Sequence, residues 1–276
     1  MQNLIVPTDY SFTAKKALDF AVQIARKAQV EIIVVHACEM IDSVFTDHQE
    51  QNQAITDKAN VQLSLLKKNI EATERLVVNT RLYKGTVRDN IMQAAEEYHA
   101  AFIIMGSLGK TGLHEKLFGS KTAQIIGETT VPVIIIPPLY VWKVPEKILL
   151  AVNNFEENPD IISPVIKLAA LFNASIHIAI FTDVDSAEAI DYLKNKRSIT
   201  ALEEKLKILN KNIIIKSVHL DGHQFQDTID DYTQEQCIDM VAMVTRKRTF
   251  LESIFDRSST KKMSYHTQIP LLVIPA

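Results

Sequence analysis

Short runs of aliphatic and β-branched residues alternate along the whole chain with stretches whose apolar positions recur every three or four residues. Runs of four to eight bounded by polar residues read as strands, and the longer periodic stretches as amphipathic helices. The pattern predicts a strand at Leu4 to Pro7 and a helix over about Thr13 to Lys27, with Ala14, Ala17, Leu18, Ala21, Ala25 and Ala28 on one face. It continues with a strand at Glu31 to His36, a helix near Ala54 to Ala72, a strand at Leu76 to Tyr83, a helix at Val87 to Tyr98 and a strand at Ala101 to Met105. A glycine-rich loop follows, then a helix over about Ser120 to Glu128 and a strand at Val133 to Ile136. Regular strand and helix alternation predicts an α/β fold with parallel sheets and helices on both faces.

The stretch Pro137 to Pro145 breaks the rhythm with three prolines in nine residues and reads as a semi-rigid linker. Beyond it the order of elements repeats. Strands are expected at Lys147 to Val152, Ser175 to Phe181, Ile213 to His219, Ile238 to Val244 and Leu271 to Ile274. Helices are expected at Pro164 to Phe172, Ala187 to Leu209, within Gln224 to Gln236 and near Ser258 to His266. Gly85 aligns with Gly222 (222 − 85 = 137) and Pro132 with Pro270 (270 − 132 = 138), so the chain reads as an internal duplication. The expected domains are 1–137 and 147–276, joined by a linker at 138–146.

Four of the seven glycines, Gly106, Gly109, Gly112 and Gly119, fall within fourteen residues between a strand and a helix. Glycine lets an oxyanion approach main-chain N–H groups, and a helix N-terminus favours the negative charge, so this is a candidate phosphate loop. The spacing excludes two common loops. Ile104 stands where a Walker A loop needs its first glycine, and Gly106-x2-Gly109-x2-Gly112 lacks the tight first pair of a dinucleotide fingerprint. In the second half Gly106, Gly109, Gly112 and Gly119 align with Val244, Lys247, Phe250 and Arg257; only Ser120 and Thr122 keep equivalents, Ser258 and Thr260.

Gly106-x2-Gly109-x9-Gly119-Ser120, with Ile5-Val6-Pro7-Thr8-Asp9-Tyr10-Ser11, Val34-Val35-His36-Ala37 and Val131-Pro132-Val133-Ile134-Ile135, resembles the ATP-binding members of the universal stress protein family. The resemblance covers the first half and, more weakly, the second. It implies two tandem open five-stranded parallel sheets of strand order 3-2-1-4-5, of the adenine-nucleotide alpha-hydrolase-like class. It also implies that Pro7, Thr8, Asp9 and Ala37 surround adenine and ribose. Met105, Gly106, Ser107, Gly109, Gly119, Ser120, Lys121 and Thr122 would hold ribose and phosphates. The residue chemistry agrees for the second group, since N–H groups of Gly119 to Lys121 open a helix and Ser120 and Thr122 carry donor hydroxyls. In the second half Ala151 and Val152 replace Pro7 and Thr8, Asn153 replaces Asp9, and Arg257 would block a phosphate at the Gly119 position. No ATP is expected there.

Composition narrows the classes. With 276 residues, 47% hydrophobic and 23% charged, the chain is globular, and a net charge of -3 offers no general case for nucleic acid or an anionic membrane. No apolar stretch reaches the ~18 residues of a bilayer span and the N-terminus lacks a basic signal region, so a cytoplasmic location is expected. Cys38 and Cys237 form no ligand pair or disulfide framework by spacing. Asp9 alone also fits a helix cap, His36 a structural or ligand-edge histidine, and Arg246-Lys247-Arg248 a solvated basic loop.

The expected function is a stress-response sensor that binds ATP, or ADP or AMP, in the first domain, with Mg²⁺ entering alongside ATP. No paired carboxylates, metal cluster or triad accompanies the loop, so the reading is not an enzyme, short of slow hydrolysis or self-phosphorylation at Ser120 or Thr122. A nucleotidyl transferase would need a His-x-Gly-His type motif that Pro7 to Phe12 lacks. An interaction module with a vestigial pocket is the alternative. The last strands of the two halves are apolar edges whose pairing within the chain would make a covalent pseudo-dimer, with a further homodimer expected.

Overall fold

The computed structural model describes residues 3–41, 48–108, 119–152, 159–185, 189–245 and 268–275. The chain divides into two compact units, Met1–Pro138 and Leu139–Ala276.

The first unit runs β1 (Leu4–Pro7), α1 (Phe12–Ala28), β2 (Ile32–Cys38), α2 (Gln49–Glu74), β3 (Val78–Lys84), α3 (Val87–Glu97), β4 (Phe102–Gly106), α4 (Ser120–Glu128), β5 (Val133–Ile136). Its sheet order is β3-β2-β1-β4-β5, all parallel. Central strand β1 pairs Leu4 with Ile32 on one side and with Phe102 on the other. Leu4, Ile5 and Val6 are wholly buried, as strands covered on both faces must be. Helix α1 starts because the Ser11 hydroxyl accepts the Ala14 N–H (3.2 Å), and it stops at Gln29 in the left-handed conformation. The cap is therefore Ser11 and not Asp9, whose Oδ1 instead accepts the Ser11 N–H (2.9 Å) in the turn before the helix.

The second unit repeats the design: β6 (Lys147–Val152), a short 3-10 turn (Pro159–Ile162), α5 (Ser163–Phe172), β7 (Ser175–Asp183), α6 (Ala189–Leu209), β8 (Ile215–Gly222), α7 (Phe225–Glu235), β9 (Met240–Thr245), β10 (Leu271–Pro275). Its order is β8-β7-β6-β9-β10, the same 3-2-1-4-5 winding. The duplication extends to the backbone. Left-handed Gln29 recurs as Asn173 (173 − 29 = 144) and His99 as Cys237 (237 − 99 = 138). The helix expected near Ser258 to His266 lies outside the described residues.

The proline-rich segment is bound to the second unit. Tyr140 is buried and its hydroxyl donates to the Lys143 carbonyl (3.3 Å), and Trp142 meets the Phe172 ring at 5.8 Å. The carboxylate of buried Asp239 accepts the N–H groups of Glu146 (2.8 Å) and Lys147 (3.0 Å) and pairs with Lys143 (2.5 Å).

Two titrating groups of this unit oppose each other. Buried His177 in β7 lies 3.0 Å from the Tyr232 hydroxyl, and burial, with Lys216 and Lys147, pushes its pKa down to about 4. The unfolded histidine binds its proton nearer pH 6.5, so its contribution is lost as pH falls from there towards 4, by at most about 3 kcal/mol. Asp230 is pushed up to about 6 by burial and by Asp227 and Asp231, so the folded state takes up a proton first and gains stability as pH falls below 6. Urea melts of wild type should therefore change little between pH 6 and 4, whereas Asp230→Asn should lose stability on acidification; equal slopes for the two proteins would refute this.

Candidate functional site

In the first unit the chain leaves β1 towards β2 and β3 on one side and returns to β4 on the other, so a crevice opens beyond the carboxyl ends of β1 and β4. Open parallel sheets bind ligands at such a switch point. The loops that meet there carry the residues expected from the sequence. Thr8 follows β1 and donates its N–H to the Val35 carbonyl (2.8 Å). Its own carbonyl meets His36 Nδ1 at 2.7 Å, which puts the proton on that nitrogen and gives His36 a structural task. Pro7, Thr8, Asp9 and Ala37 are all half-buried.

Gly106 ends β4 against the start of α1. A Cβ there would stand 2.8 Å from the Thr13 carbonyl carbon and 2.9 Å from its oxygen. The Thr13 hydroxyl also donates to the Leu108 carbonyl, so α1 holds the first turn of the glycine loop from behind. Across the loop, Gly119 donates its N–H to the Ser107 carbonyl (2.8 Å), which closes the segment at its base. Ser107 is buried and its N–H donates to Ile136 (3.0 Å). The buried Thr122 hydroxyl donates to the Gly106 carbonyl (3.3 Å), which ties α4 to the end of β4. The Met105 side chain is buried in the sheet. Gly109 and its neighbours 110–118 lie outside the described residues, as do Asn153 and the Arg246-Lys247-Arg248 and Arg257 positions of the second unit.

Helix α4 begins at Ser120 with Gly119 as its cap and no side-chain hydrogen bond to its first turn. Gly119 has φ -64 and ψ 154, a conformation open to every residue. Backbone geometry therefore does not demand glycine here. What glycine supplies is access to N–H groups that a helix leaves without partners. Ser120 and Lys121 are exposed, and Lys121 Nζ pairs with Glu39 (3.0 Å) just beyond β2. That pair is solvated and adds little to stability.

Sequence reasoning missed Tyr10, which takes φ 62, a conformation that costs a bulky side chain energy. Its ring rests on His36 with centroids 4.7 Å apart, and its hydroxyl donates to the Ala59 carbonyl in α2 (3.3 Å). Burial, helped by Cys38, pushes its pKa up to about 12, so it stays a neutral donor. The Thr13 contact with Gly106 was also not legible. Both join residues far apart in the chain, and no local pattern announces them. Among the described residues no cluster of His, Cys, Asp or Glu could hold a metal ion, and no helix is long and apolar enough to cross a membrane.

The sequence profile described as the universal stress protein family matches residues 1–137 and again 145–275. The chain belongs to the universal stress protein family. Among curated relatives, Universal stress protein MJ0531 of Methanocaldococcus jannaschii is 28% identical over 138 residues, 49% of this chain and 81% of its own length. Universal stress protein MJ0577 of the same organism is 27% identical over 153 residues, 49% of this chain and 94% of its own. A universal stress protein structure from Archaeoglobus fulgidus superposes with a TM-score of 0.75 at 20% identity, covering 99% of this chain and 98% of that one. At that identity the likeness concerns the fold, and it extends over both halves of this universal stress protein.

The two halves differ at the crevice. Leu4 and Ile148 hold equivalent places, opposite Phe102 and Met240, and pair with Ile32 and Ile176. Five residues further on, the small Ala37 of the first unit corresponds to Phe181 in the second. Phe181 packs edge-on against Phe225, with centroids 5.4 Å apart. The Cys38 position becomes Thr182, which bonds His219 (2.7 Å) and accepts from Asn195 (3.2 Å).

Proposed function

We propose that the first unit is an adenine-nucleotide module that binds ATP, or ADP or AMP, across the β1/β4 crevice and uses occupancy as a signal in a cytoplasmic stress response. The observation that carries this reading is the start of α4. Its first turn has no side-chain cap, is preceded by a glycine whose backbone conformation any residue could adopt, and is tied by Thr122 to the carboxyl end of β4, so its donor N–H groups and the positive end of the helix dipole suit an anion bound at that end of the sheet.

The residues fit such a ligand. Gly119, Ser120 and Lys121 hold the phosphates, with Thr122 and Ser107 fixing the cradle through their bonds to Gly106 and Ile136. Gly109 joins them, and Met105 and Gly106 border the ribose. Pro7, Thr8, Asp9 and Ala37 surround the base and sugar. Mg²⁺ accompanies ATP and is held by the phosphates. Of the two hydroxyls considered for self-phosphorylation, Ser120 is exposed while Thr122 is buried and engaged, so slow transfer falls to Ser120. The second unit binds no nucleotide, because Phe181 fills the place that Ala37 leaves open.

Mass spectrometry of small molecules released from freshly purified protein, with ATP titration of wild type and Gly119→Arg, tests the reading. Because the Gly119 backbone is ordinary, the variant folds; it should lose affinity at least ~100-fold, about 3 kcal/mol. One adenine nucleotide per chain in wild type and none in the variant is the expected result. No nucleotide and no binding by either protein would refute the sensor.

A further inference from the structure

Helix α2 carries two apolar faces. Ala59, Leu63 and Ile70 are buried against the sheet, while Val61 and Leu65 are 59% and 56% exposed on another side. Continued at 100° per residue, this second face reads Ala54, Val61, Leu65, Ala72, and all four are exposed. Lys68 and Asp57 border it on one flank, and Lys58 and Asn69 on the other. Neither lysine has an ion-pair partner among the described residues.

The face is symmetric about Leu63. Ala54 and Ala72 stand nine residues to either side of it, and Val61 and Leu65 two residues to either side. A two-fold axis between antiparallel helices brings residue i of one copy level with residue 126 − i of the other. Val61 then meets Leu65 of the second copy, Leu65 meets its Val61, and Ala54 meets its Ala72, an apolar seam with small residues at both ends.

The flanks also match. The axis keeps each flank on its own side, so Lys58 and the second copy's Lys68 stay apart, although they lie at one level. Lys68 instead comes within one residue's rise, ~1.5 Å along the axis, of the second copy's Asp57 on the same flank. Asp57 Oδ1 accepts from Gln53 (2.9 Å), which holds the carboxylate in place. Lys58 likewise comes beside the second copy's Asn69. Each contact occurs twice, as an isologous interface requires.

The second unit lacks this face. Aligning buried Leu63 and Ile70 with buried Ile199 and Leu206 of α6 places Arg197 and Ala201 where Val61 and Leu65 stand. The stripe is not a general property of the fold.

We propose that α2 is a self-docking surface through which two copies of this chain associate antiparallel, with Val61 and Leu65 at its centre and Asp57–Lys68 pairs on the flanks. One helix pair buries less than the ~1,600 Å² of a standard stable interface, so the dimer is weak and concentration-dependent. It is independent of nucleotide binding.

Sedimentation velocity on the full chain from about 10 μM to about 1 mM tests this. Wild type should show a reversible monomer–dimer equilibrium, and Leu65→Glu should weaken it at least ~10-fold with an unchanged circular dichroism spectrum, since the replaced side chain is exposed. Asp57→Lys and Lys68→Glu should each weaken association, and the double variant should restore it towards wild type, which a merely structural effect does not predict. A wild type that remains monomeric over the whole range, or a dimer untouched by Leu65→Glu, overturns the proposal.

Discussion

Gly106→Ala is expected to lose about 3 kcal/mol of stability, a fall in Tm of roughly 10 °C for a unit of this size, and nucleotide affinity with it. The added Cβ would meet the carbonyl carbon, oxygen and Cβ of Thr13 at 2.8 to 2.9 Å. Two of those atoms are backbone, so no rotamer change relieves the contact. Either β4 slides out of register with β1 and β5, or the start of α1 lifts from the sheet. Lifting α1 also breaks the Thr13 bond to Leu108 that holds the glycine loop. Thermal melts and ATP titration on the same samples check both parts. Thr13→Ala keeps the clashing backbone and should give little rescue in the double variant. An unchanged Tm for Gly106→Ala would show that the closeness of β4 and α1 is not needed for the site.

Asp239→Ala should cost the second unit about 4 kcal/mol. The carboxylate is buried and accepts two main-chain N–H groups, from Glu146 and Lys147, while pairing with Lys143. Its removal leaves those donors without an acceptor at about 1–3 kcal/mol each. The half-exposed Lys143 can turn to water, so its share is small. Asp239→Asn keeps one acceptor and should fall between wild type and alanine. Limited proteolysis between Tyr140 and Glu146 would report the freed segment directly. Equal urea midpoints for all three proteins would mean that Tyr140 and Trp142 hold this segment without the carboxylate.

The pattern of apolar positions located nearly every described element to within a few residues, because strands buried on both faces and helices with one buried stripe have distinct periods. Boundaries moved where a long-range bond extended an element. Strand β2 continues to Cys38 since Gly85, far along the chain, donates to the Cys38 carbonyl (3.0 Å). Strand β7 runs on to Asp183, where it still pairs with Gly222 of β8. The proline-rich stretch shows the limit of composition. Three prolines mark an extended path, but nothing local reveals that buried Asp239 holds its end and Phe172 receives Trp142.

For the candidate site, the glycine spacing and the strand that precedes it were legible, since both lie in one segment. The distinction between glycines was not. Gly106 is required by packing against Thr13, Gly85 by its φ of 114, whereas Gly119 adopts an ordinary conformation. The sequence treats these residues alike, and only coordinates separate them. Likewise Asp9 read as a helix cap, but the cap is the hydroxyl of Ser11, because the turn at Tyr10 directs the Asp9 carboxylate to the Ser11 N–H.

By itself the sequence determined the α/β class, the duplication, the family and the loss of the glycine loop from the second half, because these depend on residue types and spacings along one dimension. The tertiary structure decided which hydroxyls, those of Thr13 and Thr122, are spent at the described ends of the loop, that Phe181 packs against Phe225 where the first unit has Ala37, and that α2 keeps Val61 and Leu65 exposed. Each depends on what a side chain meets across the fold, and the distance between meeting partners in space is not encoded by their distance in the chain.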